Sequence, residues 1–315
     1  MNIMKHFFKT GLLLALAGAI LTGAQSARAA KPAVPAAKAA KPTIAQDPYL
    51  GAIVAEAATG KVLVEDKADA KCYPASMLKL MDLLIILEQI EQKKLTLQDQ
   101  VPVSAKASHI GGSRVWLAEK ESFTVDDMLY ALMVQSANDV AVALAEKVAG
   151  STEAFVELMN KRAHELGMTS TVFHSVHGLP PGIGQEHDVT TPRDFVLLCR
   201  ELLKHKDSLR YTSTRERAFR PNDAKHMVMM RTHDHLLGAV AGVDGFKTGY
   251  FAAAGYSIAV TAQRNGQRVI AVVVGSVDRK VRDAKAAELV AKGFLALPAP
   301  AQPPGLPAAA APPAK

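Results

Sequence analysis

Two apolar, β-rich runs, 255–263 and 267–275, are separated by little more than Asn265-Gly266. A two-residue hairpin of type I′ needs positive φ at both central positions, and Asn-Gly is the pair that adopts it most readily. Any fold for this chain must therefore hold an antiparallel hairpin at this point.

An earlier pair, 51–56 and 62–65, flanks the turn Ala58-Thr59-Gly60 and reads as a second hairpin. Pro74 precedes a helical stretch from Ala75 to Glu91, with Leu78, Met81, Leu84 and Ile85 at helical spacing. Further helices are expected at 125–132, 138–149, 152–166, 192–204 and 281–294. Strands, a long helical middle, more strands and a closing helix define a mixed α/β class of the α+β type. The expected form is an antiparallel sheet flanked by helices, with a helical lobe.

The two ends read differently. Lys5 and Lys9 precede an apolar run, and Ala27-Arg28-Ala29 follows it. Residues 1–29 thus read as a secretory signal peptide, with cleavage expected after Ala29. An uncleaved anchor is the alternative, but the run is shorter than the ~20 residues a bilayer span needs. Residues 30–46 form an Ala/Pro/Lys-rich linker, and 296–315 an Ala/Pro tail expected to be disordered. Between them, 47–295 would form the folded body. The formal charge of +7 comes wholly from the ends: Lys5, Lys9, Arg28, Lys31, Lys38, Lys41 and Lys315 account for it. The body is formally neutral and carries no basic stripe, which excludes an electrostatic footprint for nucleic acid. Cys72 and Cys199 allow one disulfide at most; export permits it, and two buried thiols fit equally well.

Three short motifs carry chemistry. Ser76-Met77-Leu78-Lys79 opens the first core helix, and a spacing of three sets Ser76 and Lys79 on one face. A serine hydroxyl needs a base beside it to become a nucleophile, and a lysine is a base only when its pKa is lowered. Alone, this pair also fits an exposed helix start. Ser136-Ala137-Asn138 offers a second hydroxyl and an amide, or simply an N-cap. Lys247-Thr248-Gly249 suits a substrate carboxylate at a strand edge, with a glycine that lets a backbone lie close; a plain strand end is the other reading.

Taken together, in the order S-x-x-K, S-x-N, K-T-G, the set resembles the penicillin-binding proteins and serine β-lactamases. Ile110-Gly111-Gly112-Ser113-Arg114-Val115-Trp116-Leu117, Asn138-Asp139-Val140, Met159-Asn160, Leu166-Gly167-Met168, His177-Gly178-Leu179 and Ala254-Gly255-Tyr256 narrow it. They are similar to the D-alanyl-D-alanine carboxypeptidases, the low-molecular-mass penicillin-binding proteins, over roughly 47–295. The resemblance implies Ser76 as acylated nucleophile and Lys79 as its base. It implies Ser136 and Lys247 as the proton path to the departing D-alanine, and Asn138 as the group that positions the peptide. Thr248, joined by Arg282, would hold the terminal carboxylate, and the backbone N–H groups of Ser76 and Tyr250 the oxyanion.

The implied substrate is the peptidoglycan stem pentapeptide, with β-lactams as inhibitors, no cofactor and a periplasmic location. A D,D-endopeptidase, a β-lactamase and a catalytically silent wall-binding protein are the competing readings. Phe251 stands where the family usually has Thr, and Arg231-Thr232-His233-Asp234-His235 replaces an Asn-rich stretch. The chain's Pro/Ala end implies an enzyme without the C-terminal membrane anchor of many relatives. His187, His226, His233 and His235 invite a metal reading, of which His233 and His235 could ligate together, but no Cys or carboxylate cluster at metal spacing completes the set.

Overall fold

The structure, a computed structural model, describes residues 44–299. The expected leader and most of both Ala/Pro-rich segments lie outside the described residues. Ile44 N donates to the Ala253 carbonyl at 3.0 Å and Gln46 N to that of Gly275 at 2.9 Å, so pairing with the body starts before residue 47.

The first strands, β1 (Gly51–Glu56) and β2 (Val62–Asp66), form the expected hairpin. The stretch read as one helix from Ala75 divides in two: a 3₁₀ turn, Ala75–Leu78, then α1 (Lys79–Glu91). Ala75 sits at φ 47°, in the left-handed region, and Met77 N closes the turn on the Pro74 carbonyl. Every residue of α1 from Lys79 to Leu87 is buried. The helix is enclosed on all sides rather than amphipathic, as its continuous apolar sequence demands.

A small ladder, β3 (Gln100–Pro102) with β4 (Ser122–Thr124), encloses the short α2 (Ala105–His109). Then follow α3 (Val125–Tyr130), a π turn over Ala131–Gln135, α4 (Asn138–Ala149) and α5 (Thr152–Glu165). Hydroxyl caps start three of these helices and the next: Ser104, Thr124, Ser151 and Thr191 each accept from a backbone N–H three residues on. The Thr191 cap opens α6 (Pro192–Leu202), whose proline occupies the first turn. The single-turn α7 (Ser208–Thr212) and the hairpin β5 (Glu216–Phe219) and β6 (Val228–Arg231) complete the lobe.

The chain closes with β7 (Val243–Phe251), β8 (Gly255–Arg264), β9 (Gln267–Ser276) and α8 (Arg279–Ala296). The antiparallel sheet runs β2-β1-β9-β8-β7, leaving β7 at an edge. The β8–β9 hairpin turns as expected: Asn265 and Gly266 hold φ 49° and 78°, and Arg264 pairs with Gln267. Alternation decides the layers. Ile53, Ala55, Ile270, Val272 and Val274 face the helical lobe. Ala52, Val54, Val269, Ala271 and Val273 face Ala286, Leu289 and Val290 of α8. Both faces of β9 are covered, which explains its unbroken apolar run. Cys72 and Cys199 are free and buried, and burial pushes both thiols up.

Candidate active site

The 3₁₀ turn brings Ser76 and Lys79 together at the end of α1 nearest β7. Lys79 is fully buried, and its Nζ faces three oxygens: Ser76 Oγ at 3.0 Å, Asn138 Oδ1 at 2.8 Å and the His177 carbonyl at 2.8 Å. Two of these can only accept. A neutral amine, with two N–H bonds, must give both to Asn138 and His177, and its lone pair then points at the Ser76 hydroxyl. Burial lowers the Lys79 pKa to about 8, against the opposing pull of Asp82, Asp188 and Asp139. The geometry can therefore turn an ammonium into a base aimed at one hydroxyl.

Ser136 and Asn138 come from the junction of α3 and α4. The π turn ends with Ser136 at φ 60°, ψ 36°, and Ala137, not Ser136, occupies the N-cap of α4 without a side-chain cap bond. The N-cap reading of Ser136 is therefore overturned. Its buried hydroxyl has no hydrogen-bond partner among the described residues, and it lines the same cavity as Ser76. Asn138 is held on every side. Its N–H donates to the Ser113 carbonyl at 2.8 Å, and its Nδ2 to Gly111 at 2.8 Å.

The opposite wall is β7. Gly249 lies against the Ser76 turn: a Cβ there would collide with the Pro74 carbonyl and sit 3.1 Å from Met77 N. Glycine lets the strand edge approach the nucleophile. Lys247 is buried, its Nζ 3.1 Å from the Thr248 carbonyl; burial first, then the Lys79 charge, pushes its pKa well down. Thr248, Gly249 and Tyr250 line the cavity, and the Tyr250 ring stacks on Tyr256 at 4.1 Å. Arg282, from α8, is buried at the far wall, with Nε 2.9 Å from Asp283 Oδ1 and Nη1 3.3 Å from the Ser257 carbonyl. The cavity, about 360 Å³, thus gathers Ser76, Ser136, Asn138, Thr248, Tyr250 and Arg282. Lys79 and Lys247 lie beneath its surface.

One group was not legible in the sequence, and others stand where the sequence departs from the family pattern. The His177 carbonyl carries no side-chain signature. His233 and His235 line the cavity from the stretch that departs from the Asn-rich pattern. His233 opens on the cleft, yet its desolvation there, then the cations of Lys247 and its neighbours, push its imidazole down to about 4. Phe251 lies over Tyr73 and His187, its centroid 6.0 Å and 5.9 Å from theirs, while Tyr73 and His187 stack at 4.0 Å. The stack ties the end of β7 to the segment before Ser76. Among the described residues, Glu88, Glu201 and His205 form one grouping compact enough for a metal ion. Arg162 already bridges both carboxylates, at 2.7 and 2.9 Å.

A cleft serine paired with a buried lysine at the edge of an antiparallel sheet, faced by a helical lobe, defines the β-lactamase/transpeptidase class of fold. Within it the chain belongs to the D-alanyl-D-alanine carboxypeptidase family, whose pattern matches residues 36–278. It is 36% identical over 243 residues to the D-alanyl-D-alanine carboxypeptidase DacF of Bacillus subtilis, covering 77% of this chain and 61% of that relative. A Streptomyces D-alanyl-D-alanine carboxypeptidase is 30% identical over 295 residues, covering 89% of this chain and 98% of that one. The structure also resembles penicillin-binding protein D2 of Listeria monocytogenes in its ampicillin-bound form. There the TM-score is 0.70 at 29% identity, covering 78% of this chain and 97% of that one.

Proposed function

We propose that the protein is a serine D-Ala-D-Ala carboxypeptidase that removes the terminal D-alanine from peptidoglycan stem peptides. The observation that carries the reading is the Lys79 amine, buried and 3.0 Å from Ser76 Oγ, with its two N–H bonds committed to Asn138 Oδ1 and the His177 carbonyl. Neutral Lys79 takes the hydroxyl proton as Ser76 Oγ bonds to the carbonyl carbon of the penultimate residue. The oxyanion that develops meets the backbone N–H groups of Ser76 and Tyr250. As the C–N bond breaks, the proton reaches the departing amine through Ser136, whose unpaired hydroxyl lines the same cavity as Ser76. Thr248 and Arg282 hold the terminal carboxylate. Water then attacks the ester, its proton going to Lys79, which passes it to Ser76 Oγ as the ester bond breaks and the shortened peptide leaves.

The free edge of β7 supports a peptide bound as an added strand, read by its backbone. A β-lactam, with an amide and a carboxylate similarly spaced, would acylate Ser76 and stay; the Listeria relative solved with ampicillin agrees with this. The site of action is outside the cytoplasm, in the periplasm. Among the described residues no helix is long and apolar enough to cross a membrane.

The test is mass spectrometry of muropeptides incubated with the purified protein, beside labelling by a fluorescent penicillin. Pentapeptides should lose one D-alanine while dimers persist, and Ser76→Ala should abolish labelling without unfolding. Labelling that survives in Ser76→Ala, or dimers that fall to monomers, overturns the assignment.

A further inference from the structure

Asp82 follows Lys79 by three residues, so both side chains lie on one face of α1, their Cβ atoms about 5–6 Å apart. It is 2% exposed, and neither carboxylate oxygen has a hydrogen-bond partner among the described residues. Buried polar groups are almost always paired, so an orphan of this kind needs a reason. The two other acids whose fields reach Lys79 are tied down. Asp139, on α4, accepts from Val115 N and Leu117 N. Asp188 accepts from His174 N, Ser175 N and Ser175 Oγ. Lys247 of β7, with the imidazoles of His177 and His233, completes the ionisable groups coupled to the Lys79 charge. Asp82 itself feels Lys79 and Asp188.

We propose that Asp82 is a positioning residue: an unpaired carboxyl, buried on the same face of α1 as Lys79, whose charge acts through space on Lys79 and so governs when Lys79 is a free base. A net charge is costly in such a site. With both groups present, the uncharged pair holds one proton, as Lys79⁺ with Asp82⁻ or with both groups neutral, and the two titrate together. With the carboxyl replaced by an amide, the uncharged state has a free amine at Lys79. Burial pushes the Asp82 carboxyl well above its ordinary range, which keeps both forms within reach. This inference rests on Lys79 serving as the base for Ser76.

The experiment is the second-order rate of acylation by penicillin across pH, for the full protein, Asp82→Asn and Asp82→Leu. In both variants the acid limb should move to lower pH by about one unit, the scale of removing a near opposite charge. The plateau should stay within a few-fold. Asp82→Leu fills the same space without an unpaired polar atom and should melt no lower than the parent. Midpoints that do not move, a shift to higher pH, or folded variants that are not acylated at all would each overturn the proposal. Labelling that persists in Ser76→Ala would instead overturn the reading beneath it.

Discussion

Asn138 Oδ1 accepts from Lys79 Nζ at 2.8 Å while Asn138 Nδ2 donates to the Gly111 carbonyl at 2.8 Å. One amide, fixed at both ends, sets the direction of the lysine's lone pair. Asn138→Asp keeps an acceptor, loses the donor and adds a negative charge beside Lys79. A near opposite charge favours the ammonium. Penicillin acylation at neutral pH should fall by about 10²-fold, the usual weight of one acid–base contribution, and its acid limb should move to higher pH. Stopped-flow acylation across pH reads both.

The depressed Lys79 pKa has two signatures. Acylation needs the neutral amine, so its rate should fall about tenfold per unit as pH drops below about 8. For stability, the folded value of about 8 lies below the ordinary 10.5. The unfolded chain binds the extra proton between them, so this group's contribution to stability rises with pH across that window. Below it, the penalty is present in full. Melting temperatures should show this slope in the parent and lose it in Lys79→Met.

Gly249→Ala puts a methyl against the Pro74 carbonyl and the Ser76 turn. Backbone rather than a flexible side chain must yield, so β7 should move away from the nucleophile. We expect acylation to drop at least 10²-fold, since a shift of about 1 Å at the reacting atoms suffices for that. The circular dichroism spectrum should stay native. Near-normal acylation would mean that the strand edge does not align the substrate.

Phe251→Thr removes the outer ring from the Tyr73–His187 stack. Ring pairs contribute about 0.5–1.5 kcal/mol beyond simple burial, so urea unfolding should show a loss of about 1 kcal/mol. Relative acylation rates of penicillins with bulky and small side chains should change as well, because Phe251 lines the cleft. An unchanged ratio would confine Phe251 to a structural role.

Local signals carried most of the fold. The Asn265-Gly266 turn formed as its chemistry requires, and α4 runs from Asn138 to Ala149 as expected. Local rules misled at Ser136, where N-cap preference was overridden by the π turn and a left-handed backbone that only the packed lobe can hold in place. They also hid the 3₁₀ turn, since Ala75 has no intrinsic reason to adopt φ 47°. The hairpin β5–β6 was not foreseen: its strands are four residues each and carry charged side chains such as Glu216, Arg217 and Arg231. At the site, the order of three motifs singled out Ser76, Lys79, Ser136, Asn138, Lys247 and Thr248, which the fold brings together. The roles of Asp82 and of the His177 carbonyl depend on burial and backbone direction, which motif spacing does not encode.

The exposed side of β7 has a consequence for solubility. A sheet edge that welcomes one short peptide also offers its amides and carbonyls to any extended chain, including another copy of itself. Here the lip is shielded by the Ser76 turn lying against Gly249 and by the Tyr73, His187 and Phe251 rings at the strand's end. These features leave a gap suited to a single segment and unsuited to a growing ladder. Loosening the rings to broaden substrate choice would thus bring a greater tendency to self-associate.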